Sequence, residues 1–218
     1  MNPWAKENYF SNGTKKAAKE IIDFVEPIRA RHKILPVFDK MAFLVIDFQR
    51  GYLDQSSKSL VPAAKEIVPN IKLLRNEFPN NPFIYTRHLN DIENAGNQKK
   101  WWRELMTREN PGSELFLEIK GNAQILEKTQ YDAFYKTELE NILRKEGITQ
   151  VVIMGTMTNL CCESTARSAF DRGFEVFYVI DAMATRNIAL HVASISSAAH
   201  GFAYPILAEE LVSYKKEK

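Results

Sequence analysis

The sequence predicts an α/β fold in which a mostly parallel sheet carries helices on both faces. Two observations predict it. The apolar runs Ala42 to Asp47, Gln150 to Met154 and Glu175 to Ile180 are continuous rather than alternating. Such runs are strands buried on both sides. Between them lie stretches with helical spacing, and strands that alternate with helices form parallel sheets. No internal repeat or low-complexity tract interrupts the pattern.

Residues 1–40 read as an N-terminal helical arm, followed by one domain over 41–218. Within the arm, Thr14 to Ala30 is helical, because Ala17, Ile21, Ile22 and Val25 share a face. Its apolar stripe has to be buried, either on its own domain or on a neighbouring subunit. Pro36 ends whatever precedes it, and Ala42 to Asp47 is the first strand. Val61 to Glu77 reads as a helix and Asn81 to Thr86 as the second strand. Leu115 to Ile119 and Ala123 to Leu126 are short and open to either reading. Glu138 to Lys145 is helical, with Gly147 placed to cap it. Gln150 to Met154 is a strand that stops at Gly155. Cys162 to Arg172 is a helix closed by Gly173, and Glu175 to Ile180 a strand ending at Asp181. Leu190 to Ala199 is the last helix, and Tyr204 to Leu207 a final edge strand. Lys215 to Lys218 reads as a solvated tail.

Composition excludes several classes. The 218 residues carry a net charge of only +2 with interspersed signs, so no nucleic-acid face is expected. No apolar stretch reaches the roughly 18 residues of a membrane span, and the start of the chain lacks the apolar region of a secretory signal. The two cysteines are adjacent, which rules out a disulfide framework and points to a reducing, cytoplasmic setting.

The most informative stretch is Val151 to Phe170. An apolar strand meets a small-residue turn, Thr156 to Asn159, and then a thiol, Cys161, where a helix begins. Helix N-termini favour the thiolate, the nucleophilic form of cysteine. In open parallel sheets, ligands bind beyond the carboxyl ends of the strands. Asp47 and Cys161 fall at such ends, and Lys128 follows the apolar pair Ile125 and Leu126. A carboxylate can take the thiol proton while an ammonium keeps the carboxylate ionised and stabilises developing negative charge. Backbone N–H groups of the turn before Cys161 can form an oxyanion hole.

These residues carry a resemblance to the isochorismatase-like cysteine hydrolases. Three segments match in order: Leu44 to Gln49 with Tyr52 to Asp54, Lys128 to Leu139, and Gly155 to Arg167. The resemblance implies a six-stranded sheet in a three-layer α/β/α, Rossmann-like sandwich, and a homo-oligomer (dimer or tetramer). It implies a catalytic triad of Asp47, Lys128 and Cys161. The cysteine attacks an amide or ureido carbonyl and water resolves the thioester. It also implies a cis peptide at Thr156–Met157, with the N–H groups of Met157 and Cys161 as the oxyanion hole. Two departures bear on chemistry. Metal-dependent nicotinamidases of this group carry an Asp-x-His motif after the second strand, where this chain has Tyr85 to Asp91 with a single histidine; no metal or other cofactor is therefore expected. Isochorismatases cleave an enol ether without needing the cysteine, so the retained Cys161 favours amide-type hydrolysis of a small molecule.

Substrate-binding candidates flank the triad. Arg87 can clamp a carboxylate bidentately, and His88 can donate to a carbonyl; the other reading for both is a salt-bridged loop. Phe48, Tyr131 and Thr158 lie beside triad members in sequence. Of Trp101 and Trp102, one packs beneath a loop and the other, assigned to Trp101, walls the pocket. Phe134 also flanks a triad member and is read either as pocket wall or as core, while Cys162 and Asp181 read as structural.

Overall fold

The computed structural model describes residues 5–90, 92–102, 105–119, 121 and 123–217. Six strands build one sheet: β1 (Met41–Ile46), β2 (Phe83–His88), β3 (Gln124–Lys128), β4 (Gln150–Thr156), β5 (Glu175–Ala184) and β6 (Tyr204–Ile206). Their order is β3-β2-β1-β4-β5-β6. Each neighbouring pair is parallel, so the sheet is wholly rather than mostly parallel. Every residue of β1 and of β4 is buried, which is why their sequences are continuous apolar runs. Phe43 on β1 stacks on Phe83 of β2, with ring centroids 4.6 Å apart.

The helices are α1 (Thr14–Arg29), α2 (Val68–Glu77), α3 (Gln98–Trp101), α4 (Leu139–Lys145), α5 (Glu163–Asp171), α6 (Ile188–Gly201) and α7 (Ala208–Lys216). α2 packs beside α7, while α1 and α5 pack against α6. No helix among the described residues is long and apolar enough to cross a membrane. The arm helix packs on its own chain: Ala18, Ile21, Ile22 and Val25 of α1 join the core cluster that contains β1 and β4. Arg29 ties its end down, pairing bidentately with Glu210 of α7 at 2.5 and 2.9 Å.

Several boundaries differ from expectation for identifiable reasons. The helix expected over 61–77 is a 3₁₀ turn, Pro62–Lys65, followed by α2 with Pro69 in its first turn; proline is tolerated there but not in a helix interior. The second strand lies at 83–88 rather than 81–86. β4 runs on through Gly155 to Thr156. The stretch before α5 is a π-helical turn, Thr158–Cys162. A further helix, α7, follows β6 with Ala208, Leu211 and Val212 buried; Lys215 and Lys216, expected in a solvated tail, form its exposed last turn.

Strand order reverses between β1 and β4. In open α/β sheets that switch point is where loops diverge and leave a crevice.

Candidate active site

Three strand ends deliver the reactive groups. Asp47 follows β1, Lys128 closes β3, and Cys161 follows the turn after β4. All three are buried. Asp47 has a left-handed backbone, φ 44°, rare for a residue with a side chain. Three contacts hold it there. Its N–H donates to Thr86 Oγ1 (2.9 Å), and that hydroxyl donates to Asp47 Oδ1 (2.6 Å). Thr156 Oγ1 donates to the Asp47 carbonyl at 2.7 Å.

Gly155 makes the approach of β4 possible. Its φ is +117°, and a Cβ there would sit 2.1 Å from the Ile46 carbonyl oxygen. Only glycine lets the last residues of β4 press against the end of β1. The Thr156–Met157 peptide bond is cis.

Lys128 Nζ lies 2.7 Å from Asp47 Oδ2 and donates to the Gln130 carbonyl at 2.8 Å. It is 3.3 Å from His88 Nδ1 and close enough to Cys161 to interact with it electrostatically. Burial alone would neutralise these groups, but their mutual attraction prevails. Burial pushes the Asp47 carboxyl up, yet Lys128, His88 and Thr86 together hold it below its ordinary value. Burial likewise pulls Lys128 down, and Asp47 and Cys161 outweigh it, so the ammonium holds its proton more tightly than usual. The Cys161 thiol is pushed up by burial and by Asp47, against the pull of Lys128. The resting site is therefore carboxylate, ammonium and neutral thiol.

His88 is held neutral, at a pKa of about 4, first by burial and then by the Lys128 charge. Its Nε2 meets Asn90 Nδ2 at 2.9 Å, and Asn90 also donates to Gln98 Oε1. The Asn90 Oδ1 atom is buried without a partner among the described residues.

A cavity of about 530 Å³ opens on Cys161. Its walls are largely aromatic and aliphatic: Tyr52, Trp101, Trp102, Met106, Tyr131 and Leu160. Trp102 Nε1 donates to the Tyr131 hydroxyl at 2.7 Å and so braces one wall.

The sequence-derived binding candidates divide. His88, Trp101 and Tyr131 line the cavity, as does Met157. Both tryptophans do so, Trp101 at 76% exposure and Trp102 part-buried. Arg87, Phe48 and Thr158 are not among the cavity's lining residues. Because β2 extends to 88, Arg87 and His88 are consecutive strand residues and point to opposite faces. Arg87 is taken up by Ser113 and by Glu114 at 2.5 Å. Phe48 packs edge-on against Phe116. Thr158 faces the protein interior: its hydroxyl meets His191 Nδ1 at 2.9 Å and its carbonyl accepts from Tyr178 at 2.6 Å. Asp181 accepts from the Ala208 N–H and so caps α7.

Sequence reasoning passed over Thr86, Asn90, Gln98 and Arg186. Thr86 and His88 share a face of β2, so the strand period was the available signal for Thr86. Asn90 and Arg186 sit on loops and Gln98 opens the four-residue α3, where spacing carries no signal.

Among the described residues one group of three has metal-ligating atoms close together: Asp47, His88 and Cys161, within 4.8 Å of one another. The group does not fit a cation. The Lys128 ammonium already stands within 2.7 and 3.3 Å of two of the three donors, and an ion among them would meet its charge at close range.

Comparison with known proteins agrees with this architecture. Residues 41–210 match the isochorismatase domain model. The chain belongs to the isochorismatase family. It is 36% identical over 176 residues to nicotinamidase 3 of Arabidopsis thaliana, covering 78% of this chain and 86% of that protein. A cysteine hydrolase from Pseudomonas syringae superposes with a TM-score of 0.81 at 22% identity, covering 85% of this chain and 96% of that one. The N-carbamoylsarcosine amidase of Thermoplasma acidophilum superposes at 0.69 with 25% identity, covering 78% and 98%. Members of this family are hydrolases, and the present protein is a hydrolase of that family.

Proposed function

We propose that the protein is a cysteine-dependent hydrolase of a C–N amide or ureido bond in a small molecule. The observation that carries this reading is the buried Lys128 ammonium. It pairs with the Asp47 carboxylate at 2.7 Å and interacts electrostatically with Cys161, which lines an aromatic-walled cavity. In the reaction, Cys161 Sγ attacks the carbonyl carbon as its proton passes to Asp47. Lys128 and the N–H groups of Met157 and Cys161 stabilise the oxyanion. The tetrahedral intermediate collapses as Asp47 returns the proton to the leaving nitrogen, which departs as ammonia or an amine. Asp47 then accepts a proton from water as the water attacks the thioester; collapse yields the acid and the free thiol. Asn90 Oδ1, a buried acceptor on the cavity wall, suits a substrate N–H. The relatives named for amide hydrolysis support the same bond class. The expected dimer or tetramer belongs to the same proposal, and light scattering of the purified chain decides it.

The test is ammonia release from carboxamides, ureido acids and N-carbamoyl amino acids, wild type beside Cys161→Ala. Release by wild type alone supports the mechanism; undiminished turnover by Cys161→Ala sinks it. An enol-ether hydrolase would instead keep its activity in Cys161→Ser.

A further inference from the structure

Residues 5–10 precede the family domain, which begins at residue 41, yet two chains of contact lead from them to the turn that carries Cys161. The first runs through hydrogen bonds. The Tyr9 hydroxyl accepts from the Thr185 N–H at 2.9 Å. Thr185 Oγ1 in turn donates to Asn159 Oδ1 at 2.5 Å. Asn159 belongs to the π-helical turn Thr158–Cys162, two residues before Cys161. The second chain runs through rings. Tyr9 and Phe10 pack on His191 of α6, with centroids 5.1 and 5.6 Å away. His191 Nδ1 meets the hydroxyl of Thr158, the first residue of the same turn, at 2.9 Å.

The arm segment is itself fixed. The Glu7 N–H donates to the Arg186 carbonyl at 2.9 Å, and Asn187 Nδ2 donates to the Ala5 carbonyl at 3.2 Å. Phe10 is fully buried. Thr185 is the first residue past β5, beyond the reach of the strand ladder, and it too is fully buried. A buried N–H needs a partner, and Tyr9 supplies it from outside the domain. Placement matters at this turn, because moving a reacting group by about 1 Å can cost about a hundredfold in rate.

We propose that Tyr9 is a positioning residue for the nucleophile: its hydroxyl seats Thr185, Thr185 holds Asn159, and the turn so held keeps Cys161 in place near Lys128. The proposal rests on Cys161 being the nucleophile of the C–N hydrolase reading, but thiol reactivity can be measured without a substrate.

The experiment is alkylation of the full-length chain by iodoacetamide, with each cysteine followed separately by tandem mass spectrometry. Cys161 lines the cavity and Cys162 is fully buried, so labelling of Cys162 reports unfolding. Tyr9→Phe keeps the ring on His191 and removes the hydroxyl. It should slow Cys161 about fivefold, in line with one lost buried hydrogen bond. Thr185→Val breaks the bond to Asn159 and should slow Cys161 by at least as much. Thr185→Ser keeps that bond and should stay within about twofold of wild type. On the Thr185→Val background, Tyr9→Phe should add less than about twofold, because both act through one contact. Leu211→Ala, in α7 packed on α2 and β5, weakens the core and should leave the Cys161 rate unchanged. Wild-type reactivity in Tyr9→Phe, an equal slowing on the Thr185→Val background, or a slowing matched by Leu211→Ala overturns the proposal. So does labelling of Cys162 in step with Cys161 in Tyr9→Phe, which would make the residue structural only. A wild-type Cys161 no more reactive than Cys162 overturns it as well, leaving no nucleophile to position. If the ammonia-release panel fails while Cys161 reactivity depends on Tyr9, the hydrolytic reading falls and the positioning role stands.

Discussion

Two residues carry most of the site's architecture, and each gives a sharp expectation. Lys128→Met removes the only cation within contact of the buried Asp47 carboxylate among the described residues. Breaking a buried ion pair on one side costs about 3–5 kcal/mol, because the remaining charge is left uncompensated. Adding Asp47→Asn should restore a good part of that loss, and urea denaturation of both variants measures it. A Lys128→Met variant as stable as wild type would mean that Asp47 is not ionised. Gly155→Ala is expected to be worse still, since the new Cβ meets backbone rather than a yielding side chain; the soluble yield and melting temperature report it. At this scale much of the site was legible in the sequence. Asp47 and Cys161 could be read because each follows an apolar strand, and strand ends converge in a parallel sheet; Lys128, at the end of the largely exposed β3, was legible only through the three ordered segments that carry the family resemblance. Arg87 was misread because the strand runs two residues further than expected, so that alternation places Arg87 on the face opposite His88, which lines the cavity. Thr86, which holds the unusual backbone of Asp47, resembles any strand threonine until β1 and β2 are set side by side.

The elements show where spacing is sufficient and where it is not. α1 was readable because Ile21, Ile22 and Val25 repeat at helical intervals, and the structure buries that face within its own chain. Ile21→Ala should therefore destabilise the protein by about 2–5 kcal/mol. Phe24→Ala, at a position 67% exposed, should change stability by no more than about 0.5 kcal/mol. Comparable effects of the two substitutions on chemical denaturation would indicate that the arm does not pack as described. α7 escaped notice because two glutamates open it and two lysines close it, leaving only Ala208, Leu211 and Val212 to mark its buried face. Those end charges are what a helix dipole favours, and Lys215 and Lys216, read as part of a solvated tail, are its exposed last turn. The turn that carries Cys161 was legible as a turn, but its π-helical geometry was not. Its conformation depends on Tyr178, Ser194 and His191 gripping Thr158 from β5 and α6, contacts 20 to 36 residues apart in sequence.

At the scale of the molecule, burying titratable groups on the sheet and on the helix packed against it makes stability depend on pH with opposing contributions. His88 and His191 are depressed to pKa values of about 4 and about 3, each chiefly by burial. Between pH 6.5 and about 4 the unfolded chain binds protons that these two histidines refuse in the folded state, so their contribution falls as pH falls. Asp181 acts in the reverse sense. Burial raises it to about 6, and between pH 6 and 3.8 the folded chain binds a proton that the unfolded chain does not. Its contribution rises as pH falls. Near pH 5 the balance is about one proton, or about 1.4 kcal/mol of stability lost per pH unit of acidification. Asp181→Asn keeps an oxygen for the Ala208 N–H but removes the opposing proton. The variant should be more stable than wild type at pH 7, and its acid slope should steepen to about 2.7 kcal/mol per pH unit. Urea midpoints at pH 4.5, 5.5, 6.5 and 7.5 measure both quantities. Parallel curves for variant and wild type would mean that Asp181 titrates alike in the folded and unfolded chains. A wild-type curve flat across this range would mean instead that the two histidines are not held neutral by their burial.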